Sequence, residues 1–358
     1  MAKSGRVTLA QVAELAGVSV MTASYTYNRP DRVSDQARRK VLAAADQLGY
    51  AGPDPSARSL RRGSTHALGV VMGEHLSYAF DDPEAVSFLA GIADVCAARG
   101  FAMTILPITG GADDVPRVKG AAVDGYVVWT TADDDPVLAA VQSMRRPAVV
   151  HGGPAVRGLG LVTIDNRAAA AAVGATAFAG ARRPAILSFP LSRDRVSTVT
   201  RGAQLTDVPF PVTRERLEGY REAVEGAGAG WDAVVVAVCG RNDAAEAERM
   251  AATLLASPEP PDAIAAMSDQ QAAGVVRAAR AAGLTVPGDL AVTGWDDSAV
   301  AERLGLTTVA QSLREQGAAC AEAALGRPYQ SRAAGWSVVR RGSTRGVSGA
   351  SGRGPRSR

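Results

Sequence analysis

The run Val7-Thr8-Leu9-Ala10-Gln11-Val12-Ala13-Glu14-Leu15-Ala16-Gly17-Val18-Ser19-Val20-Met21-Thr22-Ala23-Ser24 constrains the fold of this chain more than any other stretch. Thr8 suits a helix N-cap, and Gln11 three residues on completes a capping box. Leu9, Val12, Ala13 and Ala16 recur at helical spacing and share one face. Gly17 ends that helix because it tolerates the left-handed backbone of a sharp turn. Ser19 caps the next helix. Two short helices joined by a glycine turn form a helix-turn-helix, which lays its second helix in the DNA major groove. A third helix is predicted from its cap at Ser34 to Gly49, with Ala37, Val41, Ala44 and Leu48 inward.

At 358 residues and 47% apolar, the chain has material for two or three globular units. Its net charge is only +3, but the distribution is uneven. Residues 1–63 hold ten Lys/Arg against five Asp/Glu, and residues 340–358 hold six Arg and no acid, so the middle is acidic. A basic head on an acidic body offers phosphates one face. Cys96, Cys239 and Cys320 are far apart and form no CxxC, which fits small buried residues of a reducing cytoplasm. His66, His75 and His151 give no metal spacing, and His151 in "HGGP" is a strand-end residue with no candidate partner. No export signal and no membrane-spanning apolar run are expected. Gly226–Gly230 precedes a strand instead of following one, so it is no dinucleotide loop. No P-loop and no Ser/His/Asp set has supporting context. The expectation is no enzyme, no metal and no cofactor.

Residues 64–345 alternate short apolar runs with helical patterns. Strands are predicted at 67–72, 101–106, 125–129, 148–151, 184–188, 233–238, 263–267 and 290–295. Helices are predicted at 83–99, 135–145, 167–179, 214–225, 244–255, 269–282 and 312–325. Repeated βα units imply parallel sheets with helices on both faces, and so many strands imply two lobes.

The segments "VTLAQVAELAGVSVMTAS", "YNRPDRVSDQARRKVLAAADQLGY" and "ARSLRRG" resemble the lactose-repressor (LacI/GalR) family of bacterial transcription regulators. "HALGVVM", "VTIDNRAAAA", "RLEGYREA", "GLTVPGDLAVTGWDDS" and "VVRRGST" extend the likeness through the rest of the chain. The resemblance implies an α/β protein with an all-α headpiece at 1–50 and a hinge at 51–63. It implies a two-lobed, periplasmic-binding-protein-like sensor at 64–345 with parallel sheets. The N-terminal lobe would be 64–164 plus 298–326, and the C-terminal lobe 165–297 plus 327–345. Residues 346–358 read as a disordered basic tail without leucine heptads. Two segments depart from the family: 189–213 is longer than usual, and 108–123 is short and Gly-rich.

By the same likeness, Val20, Met21 and Tyr25 read bases. Val20 and Met21 carry no hydrogen-bonding head and would discriminate through thymine methyls; the alternative is that they pack within the headpiece. Thr8, Ser19, Ser24 and Asn28 suit phosphate contacts, with a helix C-cap the alternative for Asn28. Ser56, Ala57 and Leu60 lie in the hinge, where Leu60 would wedge into the minor groove or else tether the linker to the sensor. Arg216 and Asp269 match cleft residues that hold an effector's hydroxyls, or pair with each other in a salt bridge. Asp165 marks the first lobe crossover, with a ligand or hinge role, while Asp296 and Asp297 read as structural. The implied protein is a cytoplasmic homodimeric regulator on a pseudo-palindromic double-stranded operator, controlled by a carbohydrate or nucleoside effector. An activator, a co-repressor-dependent regulator, or a solute-binding or enzymatic α/β protein with an accessory headpiece are the rivals.

Overall fold

A computed structural model describes residues 7–52, 63–73, 78–326 and 332–345. The chain divides into two units, Met1–His66 and Ala67–Arg358. The predictions for Ser56, Ala57, Leu60 and the tail at 346–358 fall outside the described residues.

The first unit holds α1 (Leu9–Ala16), α2 (Val20–Asn28) and α3 (Asp35–Leu48). Thr8 and Gln11 form the expected capping box, and Gly17 turns the chain at φ +63°. Ser19 and Ser34 cap α2 and α3. Val12, Ala13, Ala16, Ala23, Val41, Ala44 and Ala45 make a small core.

The second unit contains two sheets. In chain order come β1 (Ala67–Met72), α4 (Tyr78–Asp81), α5 (Pro83–Arg99), β2 (Ala102–Pro107) and α6 (Asp114–Gly120). Then follow β3 (Gly125–Trp129), α7 (Pro136–Ser143), β4 (Ala148–His151) and β5 (Gly160–Thr163). The chain continues with α8 (Asn166–Ala177), β6 (Pro184–Ser188), β7 (Thr198–Arg201), α9 (Pro211–Gly226), β8 (Val235–Val238) and α10 (Ala244–Leu255). Last are β9 (Ala263–Ala266), α11 (Asp269–Ala281), β10 (Ala291–Thr293), α12 (Ala299–Leu304), β11 (Thr308–Ala310), α13 (Leu313–Ala324), β12 (Arg332–Ala333) and β13 (Ser337–Val339).

The N-terminal sheet runs β12-β5-β4-β3-β1-β2 and is parallel throughout. The C-terminal sheet runs β10-β9-β6-β8-β7, with only the edge strand β7 antiparallel. Strands buried on both faces read as continuous Val/Ile/Leu/Ala runs, which is why β1, β3, β4 and β6 were predictable. Helix α5 packs closely on α13 because Gly91 has no Cβ; one placed there would sit 1.9 Å from the Arg314 carbonyl oxygen.

Two lobe boundaries differ from expectation. The second passage falls after 310, not at 298. Ala301 and Leu306 enter the core of Leu290 and Val292, and Val309 joins the other core of the C-terminal lobe. Leu313 is the first residue back in the N-terminal core. The third passage falls after 333, not at 327, since β12 pairs with β5. A segment belongs to the core its apolar side chains enter, and short three-residue strands give no pattern from which to read that.

Candidate functional site

On α2, Val20 is 51% exposed and Met21 63%, while Ala23 and Thr26 face inward. The core of this unit is complete without Val20 and Met21. Tyr25 is half-buried beside them. Thr8 and Ser19 use their hydroxyls as caps, accepting the Gln11 N–H at 3.4 Å and the Thr22 N–H at 3.0 Å. The Asn28 side-chain amide donates to the Ser24 carbonyl at 3.1 Å and its hydroxyl at 3.2 Å, which holds it on its own helix end.

Within the second unit the two lobes enclose a cavity of about 140 Å³. Trp129, Phe189, Phe210 and Leu313 form apolar wall; Arg216, Asn166, Asp296, Gln311, His151, Asn242 and Glu84 supply polar groups. Arg216, on α9, is 6% exposed. Its Nη1 donates to the Met267 carbonyl at 2.6 Å and its Nε to Asn166 Oδ1 at 3.1 Å. Its guanidinium lies 3.8 Å from the Trp295 ring centroid. A planar cation held by the rings of Trp295 and Phe189 and by two carbonyl-type acceptors is pre-aimed.

The two predicted carboxylates are placed differently. Asp165 is exposed and caps α8, accepting the Ala168 N–H at 2.9 Å; its neighbour Asn166 enters the cavity instead. Asp269 is buried but absent from the cavity wall, because both its oxygens accept from Ser298 and Thr308. Neither it nor Arg216 forms the other's salt bridge in the structure described. The carboxylate that faces Arg216 in the cavity is Asp296, in the turn after β10. Asp297 pairs with Arg341 at 2.7 Å.

Sequence reasoning also passed over a chain of side chains that links the lobes. Gln311 Nε2 donates to Asp296 Oδ1 at 2.8 Å, and Gln316 Nε2 donates to Gln311 Oε1 at 3.1 Å. His151 Nε2 lies 2.9 Å from Gln316 Oε1, so that nitrogen carries the proton. The His151 ring sits against Phe88 and Trp129, and its buried Nδ1 has no hydrogen-bond partner among the described residues. Burial pushes the His151 imidazole down to about 4. Burial, with Asp82 and Asp269 next in weight, pushes the Glu84 carboxyl up to about 7. Asp296 is raised well above the usual carboxylate range by burial and then by Glu84. No local motif marks Gln311 or Gln316, since lone glutamines near a helix start are common.

The long 189–213 segment adds the edge strand β7 and reaches across to the other lobe. Arg195 Nη2 donates to the Gly73 carbonyl at 3.0 Å, and the Asp133 N–H donates to the Pro209 carbonyl at 2.9 Å. Arg193 pairs with Asp134, and Arg214, on α9, with Asp133 at 2.6 Å. Asn242 also bridges the lobes, donating to Asp82 Oδ2 at 2.7 Å.

A helix-turn-helix with an exposed second helix, carried on one chain with a two-lobed, periplasmic-binding-protein-like domain, defines a DNA-binding transcriptional regulator. Residues 8–52 match the model for bacterial regulatory proteins of the lacI family, and residues 195–346 that for a periplasmic binding protein-like domain. An HTH-type transcriptional regulator of Mycobacterium tuberculosis is 38% identical over 328 residues, covering 90% of this chain and 91% of the relative. The chain belongs to the LacI family of bacterial regulatory proteins and is a regulator, not an enzyme. Among solved structures, a LacI-family transcriptional regulator from Corynebacterium glutamicum superposes with a TM-score of 0.72 at 30% identity, covering 96% of this chain and all of that one. A complex of the transcriptional regulator CelR with cellobiose superposes at 0.63 and 27% identity, covering 94% of this chain. No helix among the described residues is long and apolar enough to cross a membrane.

Proposed function

We propose that this chain is a homodimeric, cytoplasmic repressor whose operator affinity is set by a polyhydroxylated effector, of the carbohydrate or nucleoside class, in the interlobe cavity. The observation that carries this reading is the cavity wall itself. Arg216, Asn166 and Gln311 can donate, Asp296 can accept, and Trp129, Phe189 and Phe210 offer aromatic surface. Such a wall suits a ring with hydroxyls at its edge and C–H groups on its faces. The bound cellobiose of CelR supports the same class. Val20, Met21 and Tyr25 would read each half-site of a pseudo-palindrome, with thymine methyls the partners of the first two. Thr8, Ser19 and Ser24 would set register on phosphates, and Leu60, flanked by Ser56 and Ala57, would wedge the central step.

The effector acts by binding one lobe arrangement more tightly than the other, since equal affinity for both would shift nothing. Selection of bound sites from random duplexes, repeated with saccharides, polyols and nucleosides, tests the whole reading. An enriched palindrome whose retention one sugar or nucleoside changes supports it. Retention of scrambled duplex equal to that of the enriched site overturns it.

A further inference from the structure

Asp269 opens α11 and is 1% exposed, and its carboxylate is given over to Ser298 and to Thr308 at the start of β11. Oδ2 accepts the Ser298 N–H at 2.8 Å and the Ser298 hydroxyl at 2.9 Å. Oδ1 accepts the Thr308 hydroxyl at 2.8 Å. The Asp269 N–H donates to the Trp295 carbonyl at 2.8 Å. Gly294 lies so close that a Cβ there would meet Asp269 Oδ1 at 2.2 Å. Asp269 therefore grips both ends of the turn Trp295–Ser298.

That turn is strained. Asp296 has φ +108° and Asp297 φ +55°, two successive residues with side chains in a region that favours glycine. Such a residue persists only where its surroundings over-determine it. The turn also carries Trp295, on which Arg216 stacks, and Asp296, which lines the cavity.

We propose that Asp269 is a positioning residue of the effector site, a clamp that holds the strained Trp295–Ser298 turn so that Trp295 and Asp296 stay in place around Arg216. Its meaning for the effector rests on the proposed function; the clamp itself does not. A carboxylate can accept all three side-chain and backbone donors, whereas an asparagine presents an N–H₂ to at least one of them.

The test uses the full chain with its four tryptophans replaced by fluorotryptophan, read by fluorine NMR without any effector. Trp295→Phe assigns the Trp295 line. In Asp269→Asn that line should move and split or broaden, while the Trp231 line stays where it is. Ser298→Ala and Thr308→Val each remove one donor and should move it less, in the same direction; they keep the test alive if Asp269→Asn does not fold. Asp297→Gly in the Asp269→Asn background should restore a single sharp line, because glycine removes the left-handed penalty. An unmoved Trp295 line in the folded variants overturns the clamp. So does equal broadening of every line without rescue, which is what a merely structural role would give. An intact clamp result alongside a cavity that binds no saccharide or nucleoside would sink the proposed effector and leave the clamp standing.

Discussion

Helix α2 and the cavity gather their residues in opposite ways. Val20, Met21 and Tyr25 lie within six residues on one helix, two of them mostly in solvent. The cavity wall draws on residues from Asp82 to Gln316, and its central cation is almost wholly buried. A site made of exposed neighbours can change without disturbing its scaffold. A site made of buried, mutually bonded side chains is part of the scaffold's own stability. The first should tolerate sequence change with altered specificity, and the second should answer it with altered folding.

The largest expected effect lies in the cavity. Arg216→Ala removes two hydrogen bonds from a buried cation and its stacking on Trp295. Thermal or urea unfolding should show a loss of about 3 kcal/mol. A loss below about 0.5 kcal/mol would erase the contrast between the two regions. Next comes the double change Val20→Ala with Met21→Ala. Its unfolding curve should match that of the parent, because neither side chain enters the core. Preference for the selected operator over a scrambled duplex should fall by about 1–3 kcal/mol. A lowered melting temperature with intact preference would instead make both residues part of the packing.

This contrast also explains what the sequence could and could not disclose. Capping boxes, glycine stops and helical periodicity are local, so α1, α2 and α3 were readable residue by residue. The buried strands β1, β3, β4 and β6 were readable for the same reason. The cavity was not, because which carboxylate enters it is decided by hydrogen bonds between segments far apart in sequence. Asp269 carries the family-like motif but turns away to hold Ser298 and Thr308, and Asp296 takes its place. Asp165 likewise yields to Asn166, because a residue that caps a helix spends its oxygen on the backbone. The strands β5, β7, β11 and β13 escaped notice because none is buried along its whole length, so none reads as a continuous apolar run, and β12 has only two residues.

A smaller effect concerns pH. The Glu84 carboxyl keeps its proton in the fold up to about 7 but loses it near 4.5 when unfolded. The unfolded chain then sheds its proton first, so stability falls as pH rises from 4.5 to 7. His151 has the opposite sign. It is neutral in the fold down to about 4 and protonates near 6.5 when unfolded, so stability falls as pH drops from 6.5 to 4. Glu84→Gln should flatten the loss on the alkaline side by a few degrees of melting temperature (about 1 kcal/mol). An unchanged pH profile in Glu84→Gln would mean that the carboxyl is not buried against Asp82 and Asp296 in solution. Smaller again is the strap across the lobes. Asp133→Asn weakens a part-exposed pair with Arg214 and should lower stability by less than about 1 kcal/mol. Spin labels on the two lobes should nonetheless report a wider distance distribution. An unaltered distribution would show that the Asp133–Arg214 pair does not restrain the lobes.

The most direct test of the account joins both regions. Operator dissociation constants are measured for the parent chain and for Asp296→Asn against a panel of saccharides, polyols and nucleosides. Asp296 is half-buried and the replacement keeps its shape, so operator binding without effector should be equal in the two proteins. At least one panel member should shift the parent's operator affinity tenfold or more, about 1.4 kcal/mol of coupling. The same compound should leave Asp296→Asn unmoved. An equal shift in both proteins, or a parent that no compound moves, would contradict the claim that this cavity controls the hold on DNA.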